Sequence, residues 1–378
     1  MAMAYLDNSA TTQVTPAVAE VAVELMCNTF GNPASVHSLG LDAHKITEQA
    51  RETVASFMGC KKEEIYFTSG GTEGNNLAIL GGTLAAKRKG NKVITTAVEH
   101  PSVLQAVEEL KTRGFETVVL PVQKNGVVSL QDLEDAIDEQ TVFISIMLVN
   151  NETGAIQPVD KIREIVKRKN SPALIHTDCV QALGKYPFSL RTLGVDLASV
   201  SGHKVHGPKG VGALYIKEGV RILPQTYGGG QEKGLRSGTV AVSQIGAFAK
   251  AVEQLPKGNE GVEQATRLRE QLLLGIAQVP DAVINSTLEG SPYIVNCSVA
   301  GIPSEVMIRA LEAEGVYVSG GSACAKGGRS HVLLAQGVAP KLVDSALRIS
   351  FSNHTTKDEI EQFLNAFTKA CRFLHRKR

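Results

Sequence analysis

Ser199-Val-Ser-Gly-His-Lys-Val-His-Gly-Pro-Lys-Gly210 lies between two short apolar runs, Val195 to Val200 and Val211 to Ile216. The pattern predicts a loop between two strands, with Lys204 at its tip. Gly202, Gly207 and Gly210 permit tight turning and close approach of the backbone to a ligand, and His203 and His206 flank the lysine. A lysine that serves solubility needs no such setting. A lysine that must lose its proton and form a Schiff base does, because only the neutral amine attacks a carbonyl. A solvated basic turn is the alternative that the rest of the chain must exclude.

Outward from this stretch the chain alternates. Strand-like runs at Lys92 to Val98, Glu116 to Val122, Val142 to Val149 and Ala173 to Thr177 are separated by helical patterns at Ser102 to Leu110, Ser129 to Ile137 and Val159 to Lys169. Ile65-Tyr-Phe67 is a further short strand. It passes through Thr68-Ser-Gly-Gly-Thr72 into a helical pattern over Glu73 to Leu80, and such a turn can cradle a phosphate at a helix start. This alternation predicts an α/β fold with a mostly parallel sheet flanked by helices, and a ligand at the carboxyl ends of its strands. His100, Asn151, Asp178 and Lys204 all follow strand ends. After about Thr239 long helical patterns replace the alternation. The expectation is a large domain over 15–255 and a smaller α+β domain built from 1–14 and 256–378.

Composition narrows the function classes. The 378 residues are 43% hydrophobic and 20% charged, with a formal net charge of +1. That balance offers no surface for nucleic acid, and the basic tail Arg372 to Arg378 is too short to make one. The longest apolar run, Phe143 to Val149, suits a buried strand rather than a membrane span. No basic stretch followed by an apolar one opens the chain, so no secretory leader is expected. Six cysteines, at 27, 60, 179, 297, 324 and 371, form no C-x-x-C pair. This argues against zinc ribbons and disulfide frameworks, predicts no structural metal, and fits a reducing cytoplasm.

The residues at the strand ends match what a pyridoxal phosphate site requires. Lys204 would hold the aldehyde, and Asp178 would sit on the pyridine nitrogen so that the ring acts as an electron sink. Gly71 and Thr72, helped by Ser201 and His203, would take the phosphate. His100 would stack on the ring, Gln181 would donate to its phenolic oxygen, and Asn151 would hold cofactor or substrate. Each has a plainer reading: His100 as a core histidine, Asp178 as a helix cap, Asn151 as a turn residue.

Taken together, the motifs resemble those of the cysteine desulfurases, pyridoxal phosphate enzymes of fold type I. The matching stretches are Leu6-Asp-Asn-Ser-Ala-Thr-Thr12, Gly31 to His37, Thr68 to Asn76, Val98-Glu-His100, Val149-Asn-Asn-Glu-Thr-Gly154, Asp178 to Gln181, Ser201-Gly-His-Lys204, Arg236-Ser-Gly-Thr239, Ser322-Ala-Cys324 and Leu347-Arg-Ile-Ser-Phe351. The resemblance implies a seven-stranded sheet and a homodimer in which Thr239 reaches the partner's cofactor phosphate. It also implies cofactor attachment at Lys204, carboxylate binding by Arg348 and sulfur transfer through Cys324. L-cysteine would become L-alanine, with His100 a candidate for proton transfer. The sulfur, held as a persulfide, would pass to an iron–sulfur scaffold or a tRNA-thiolation protein, and a cluster could pass transiently by way of Cys324. Selenocysteine lyase, or another pyridoxal phosphate lyase or aminotransferase, is the alternative.

Two features depart from the family pattern. Gly71 stands where relatives often have alanine, and Ser352-Asn-His-Thr355 stands where they more often carry glycine or arginine. Val318 to His331 is rich in glycine and small residues, which predicts a mobile loop, and Lys326, Arg329 and His331 could favour a thiolate at Cys324. The other five cysteines lie in apolar or helical contexts that read as buried hydrophobes.

Overall fold

The computed structural model describes residues 3–256, 258–320 and 328–374. Twelve strands are present among the described residues. They are β1 (Ala4–Tyr5), β2 (Ile65–Thr68), β3 (Lys92–Thr96), β4 (Glu116–Leu120), β5 (Thr141–Ser145), β6 (Leu174–Asp178), β7 (Leu197–Ser201), β8 (Gly212–Ile216), β9 (Ala282–Ile284), β10 (Ile294–Val299), β11 (Val316–Tyr317) and β12 (Ala346–Ser350). Seven of them form one sheet in the order β2-β8-β7-β6-β5-β3-β4. The five from β7 to β4 run parallel, and β8 is antiparallel to both of its neighbours. The expected mostly parallel seven-stranded α/β sheet is present.

Strands β5, β7 and β8 are buried along their whole length, which is why they read as nearly continuous apolar runs. Successive side chains go to opposite faces. Val93, Phe143, Leu197 and Leu214 pack with Leu77, Val107 and Leu110 on one side. Ile94, Ile144, Ala198 and Ala213 pack with Ile162, Ile165 and Phe248 on the other. The helix Gly71–Ala86 lies close over the first face. A Cβ at Gly82 would stand 2.6 Å from Phe143 Cε2, so this crossing takes glycine.

The apolar run from Val142 to Val149 is longer than the strand it produces. The ladder stops at Ser145 because the Met147 amide donates to the Glu99 carboxyl (3.0 and 3.1 Å) instead of to β3. Ile146 and Leu148 still donate to β6, at His176 O and Asp178 O. The chain is thereby held extended while it leaves the sheet.

The remaining strands form a three-stranded antiparallel sheet, β12-β10-β9, and a parallel pair, β1-β11. The segment after β1 is stitched to β12 through Ser350 N→Leu6 O (2.7 Å) and then reaches the lysine loop through Thr12 N→His203 O (2.9 Å). The N-terminus therefore bridges the two larger sheets at one point, beside Lys204.

Candidate active site

Lys204 closes a single 3-10 turn, Gly202–Lys204, that follows directly from β7. The loop folds back on itself tightly: Gly207 N donates to Gly202 O, and a Cβ at Gly207 would lie 2.9 Å from that oxygen. His206 adopts φ 63, a left-handed conformation rarely taken by a residue with a side chain. The half-buried Lys204 Nζ donates to the backbone oxygens of Ser9 and Ala10, each at 2.6 Å.

Around it lies a cavity of about 300 Å³. Its walls include Gly71, Thr72, His100, Asn151, Asp178, Gln181, Ser201, His203 and Arg348 as well as Lys204. The sheet thus brings together ten of the twelve residues singled out in the sequence. Thr239 is exposed and does not line the cavity. Cys324 lies outside the described residues. A larger, more open cleft of about 890 Å³ contains none of the twelve; Lys185 and Tyr293 line it.

Asp178 ends β6 and is 6% exposed. Val180 N donates to its Oδ1 (2.8 Å) and Asn75 Nδ2 to its Oδ2 (2.8 Å), so its position is fixed. Asn75 Nδ2 also donates to Ser102 Oγ (2.9 Å), which contacts His100 Nδ1 (2.8 Å). A single chain of bonds therefore links the histidine to the acid. His100 caps the helix Pro101–Thr112 by accepting from Ser102 N. Burial pushes its imidazole below the ordinary range; Asp178 pulls the other way, and Lys204 and His331 add to the depression. Burial and the nearby lysines bring His203 down to about 4.

Arg348, in the middle of β12, is 2% exposed. Its Nη2 pairs with Asp7 Oδ1 (2.8 Å), its Nη1 donates to Asn151 O (3.1 Å), and its buried Nε has no partner. Gln181 donates to Ser9 O (2.9 Å) and keeps a buried Oε1 without a partner. Lys185, buried and with an unpartnered Nζ, is brought down to about 7, first by burial and then by the charges of Lys204 and Arg348. Lys204 and Arg348, which both line the cavity, give it a positive side suited to an anion.

These features fit pyridoxal phosphate. Asp178 is a rigid carboxylate for the ring nitrogen. Gly70 takes φ 148 just before the helix Gly71–Ala86, leaving the start of that helix open to a phosphate. Arg348 Nε is an open donor, whereas Gln181, expected to donate to the phenolic oxygen, gives its amide nitrogen to Ser9 O and leaves only the acceptor Oε1 open. The glycine at 71 also has a local reason: a Cβ there would stand 2.7 Å from Val180 Cγ2, so alanine would require Val180 to move.

Several site residues were not singled out in the sequence. Ser9 and Ala10 act through backbone oxygens, which no side-chain pattern reveals. Asn75 and Glu152 lie in quoted motifs, but only the fold aims them inward. Glu152 is 1% exposed and accepts from Ser330 Oγ (2.5 Å). Two expectations about the cysteines and their neighbours need correction. Cys27 is exposed, because its helix turns that face outward, and Cys371 is only half-buried, whereas Cys60, Cys179 and Cys297 are buried. Arg329 is engaged by Asp344 through two bonds (2.7 and 2.8 Å), which offsets the charge it was expected to lend a thiolate.

Comparison with known proteins places this architecture. The family model for aminotransferase class-V matches residues 4–363. A relative named cysteine desulfurase IscS, from Clostridium botulinum, is 40% identical over 375 residues, covering 97% of this chain and 93% of that protein. Among solved structures, one titled NifS-like protein superposes with a TM-score of 0.93 at 40% identity, covering 99% of this chain and 100% of the other. Another, SspA in complex with cysteine, gives a TM-score of 0.82 at 31% identity, covering 93% and 99%. The chain belongs to the aminotransferase class-V family of pyridoxal phosphate-dependent enzymes, among relatives named cysteine desulfurase.

Proposed function

We propose that this protein is a cysteine desulfurase, which converts L-cysteine to L-alanine and carries the sulfur away as a persulfide on Cys324. One observation carries the reading beyond family membership. Arg348, a buried guanidinium whose Nε has no partner, lines the same cavity as Lys204 and Asp178. That combination suits an amino acid held by its carboxylate.

Bound in the cavity, pyridoxal phosphate supplies an electron sink for charge that develops on the substrate's carbons. Asp178 would face the ring nitrogen and Gln181 the phenolic oxygen, while Gly71, Thr72, Ser201 and His203 take the phosphate. His100 would lie against the ring with Asn151 beside it. Arg348 binds the substrate carboxylate. Lys204 Nζ removes the proton from the α-carbon, with the Ser9 and Ala10 carbonyls as docking points for the ammonium that results, and His100 relays protons. The Cys324 thiolate attacks the substrate sulfur.

Thr239, exposed as it is, would reach the cofactor phosphate of a second subunit in a homodimer. The sulfur would go to an iron–sulfur scaffold or a tRNA-thiolation protein in the cytoplasm. A division into a large domain over 15–255 and a small one over 1–14 and 256–378 is supported by the sheets. The seven-stranded sheet uses residues 65–216, whereas β1 pairs with β11 at 316–317.

The test is product analysis of the purified holoenzyme given L-cysteine and a reducing thiol. Alanine and sulfide in equal amounts are expected. Keto acid formation without alanine would assign the protein to transamination instead.

A further inference from the structure

Joining an enzyme thiol to the sulfur of cysteine requires a base. The attacking thiol loses its proton, the sulfur–sulfur bond forms, and the carbon–sulfur bond breaks with its electron pair left on the carbon skeleton. The carbon then takes up a proton, so no outside oxidant or reductant is needed. The group that accepts the first proton must present a lone pair to the pocket.

His100 presents the wrong atom for this. The Ser102 amide donates to His100 Nδ1 (3.1 Å), so in the neutral ring the hydrogen sits on Nε2 and His100 offers the pocket an N–H. His331 is the reverse case. Its ring lines the same cavity, and its Nε2 lies 3.0 Å from the backbone oxygen of Glu99. A carbonyl only accepts, so in the neutral ring Nε2 carries the hydrogen and Nδ1 keeps the lone pair. No other described residue is hydrogen-bonded to that nitrogen. The neighbouring residue holds the ring in place: Ser330 caps the helix His331–Ala335 and bonds the buried Glu152. The two histidines are close enough for the charge of one to act on the other. In the neutral state both rings carry the hydrogen on Nε2, each set by a backbone group, but the backbone contact leaves Nε2–H free in His100 and the Nδ1 lone pair free in His331.

We propose that His331 is a catalytic base of the sulfur-transfer step, its Nδ1 accepting the proton of the attacking thiol, a role that rests on the desulfurase reading given above. His100 then remains the acid on the carbon side. His331 had entered the sequence reading only as one of three basic neighbours of Cys324. The bond to Glu99, between residues 232 positions apart, gives it this separate role.

His331→Gln separates chemistry from structure, because the glutamine amide can still donate to Glu99 O but has no basic nitrogen. The holoenzyme variant is expected to keep the wild-type cofactor absorbance and a KM for L-cysteine within about threefold, and to lose about 10²-fold in kcat for alanine formation. Nitrogen NMR of histidine-labelled protein without cofactor, with the His331 signals identified by their loss in the variant, is expected to show the hydrogen on Nε2. A kcat within threefold of wild type in His331→Gln, or a hydrogen on Nδ1, would overturn the role. Loss of activity in His331→Ala that is restored in His331→Gln would mark the residue as structural and overturn it equally. Wild-type protein that makes no alanine would remove the desulfurase reading and this role together. Normal wild-type turnover with an unimpaired His331→Gln would remove this role alone.

Discussion

Arg348 is the residue proposed to take the substrate carboxylate. Asp7 and the Asn151 carbonyl take its two terminal nitrogens, while Nε stays buried and unpartnered. A buried polar atom without a partner costs stability, which binding of a carboxylate would recover. Arg348→Ala should therefore lower kcat/KM for L-cysteine by about 30- to 1,000-fold, the equivalent of roughly 2–4 kcal/mol for a charge-assisted pair. Cofactor absorbance should persist. Steady-state kinetics check this, and a loss smaller than threefold would remove Arg348 from the site. At this scale the side chains were legible and their backbone partners were not. Lys204, Asp178 and Arg348 stand out by type and position after strands. The carbonyls of Ser9 and Ala10, which Lys204 Nζ meets at 2.6 Å, leave no mark in the sequence. Cys27 was misread because a helical context does not say which face is covered.

Among the elements, the exits of β3 and β5 are joined by Glu99. Its carboxyl accepts from Thr96 Oγ1 (2.7 Å) and from the Met147 amide, which ends one ladder and turns Met147 to Asn151 along the pocket. Burial raises this carboxyl from 4.5 to about 8, with Asp178 adding to the rise and the bonds from Met147 and Thr96 opposing it. The native state therefore holds a proton that the unfolded chain has released between about pH 4.5 and 8. Stability falls as pH rises through that window. Glu99→Gln, which carries no titrating group, should lose less Tm than wild type between pH 5 and pH 8 in thermal melts. Equal pH dependence of the two proteins would contradict the assignment. The long strands and helices were readable because their apolar residues repeat at fixed periods. β1, β9 and β11 have two or three residues each, too few to show a period, and only long-range pairing defines them. The early end of β5 was hidden because an apolar run does not reveal that a side chain has taken one of its amides.

Across the whole molecule, the five parallel strands bring their carboxyl ends to one edge, and the N-terminal segment crosses from β12 to the lysine loop there. Residues as far apart as Asp7 and Arg348 thus meet at 2.8 Å. The class of fold and the place of the site follow from the alternation of strands and helices alone. The convergence of His331 on that site required the closed tertiary structure. Burial pushes the thiols of Cys60 and Cys297 up to about 12 and that of Cys179 higher still, so these three are poor nucleophiles at neutral pH. Cys27 and Cys371 do not line the cavity around Lys204; Cys324 is the proposed sulfur carrier, and its chemistry can be measured directly. The holoenzyme is incubated with L-cysteine, alkylated without reduction, digested and analysed by mass spectrometry. One added sulfur on the Cys324 peptide, absent from Cys324→Ser while the cofactor still binds, is the predicted result. Added sulfur located chiefly on Cys179 or Cys27, or persisting in Cys324→Ser, would contradict it.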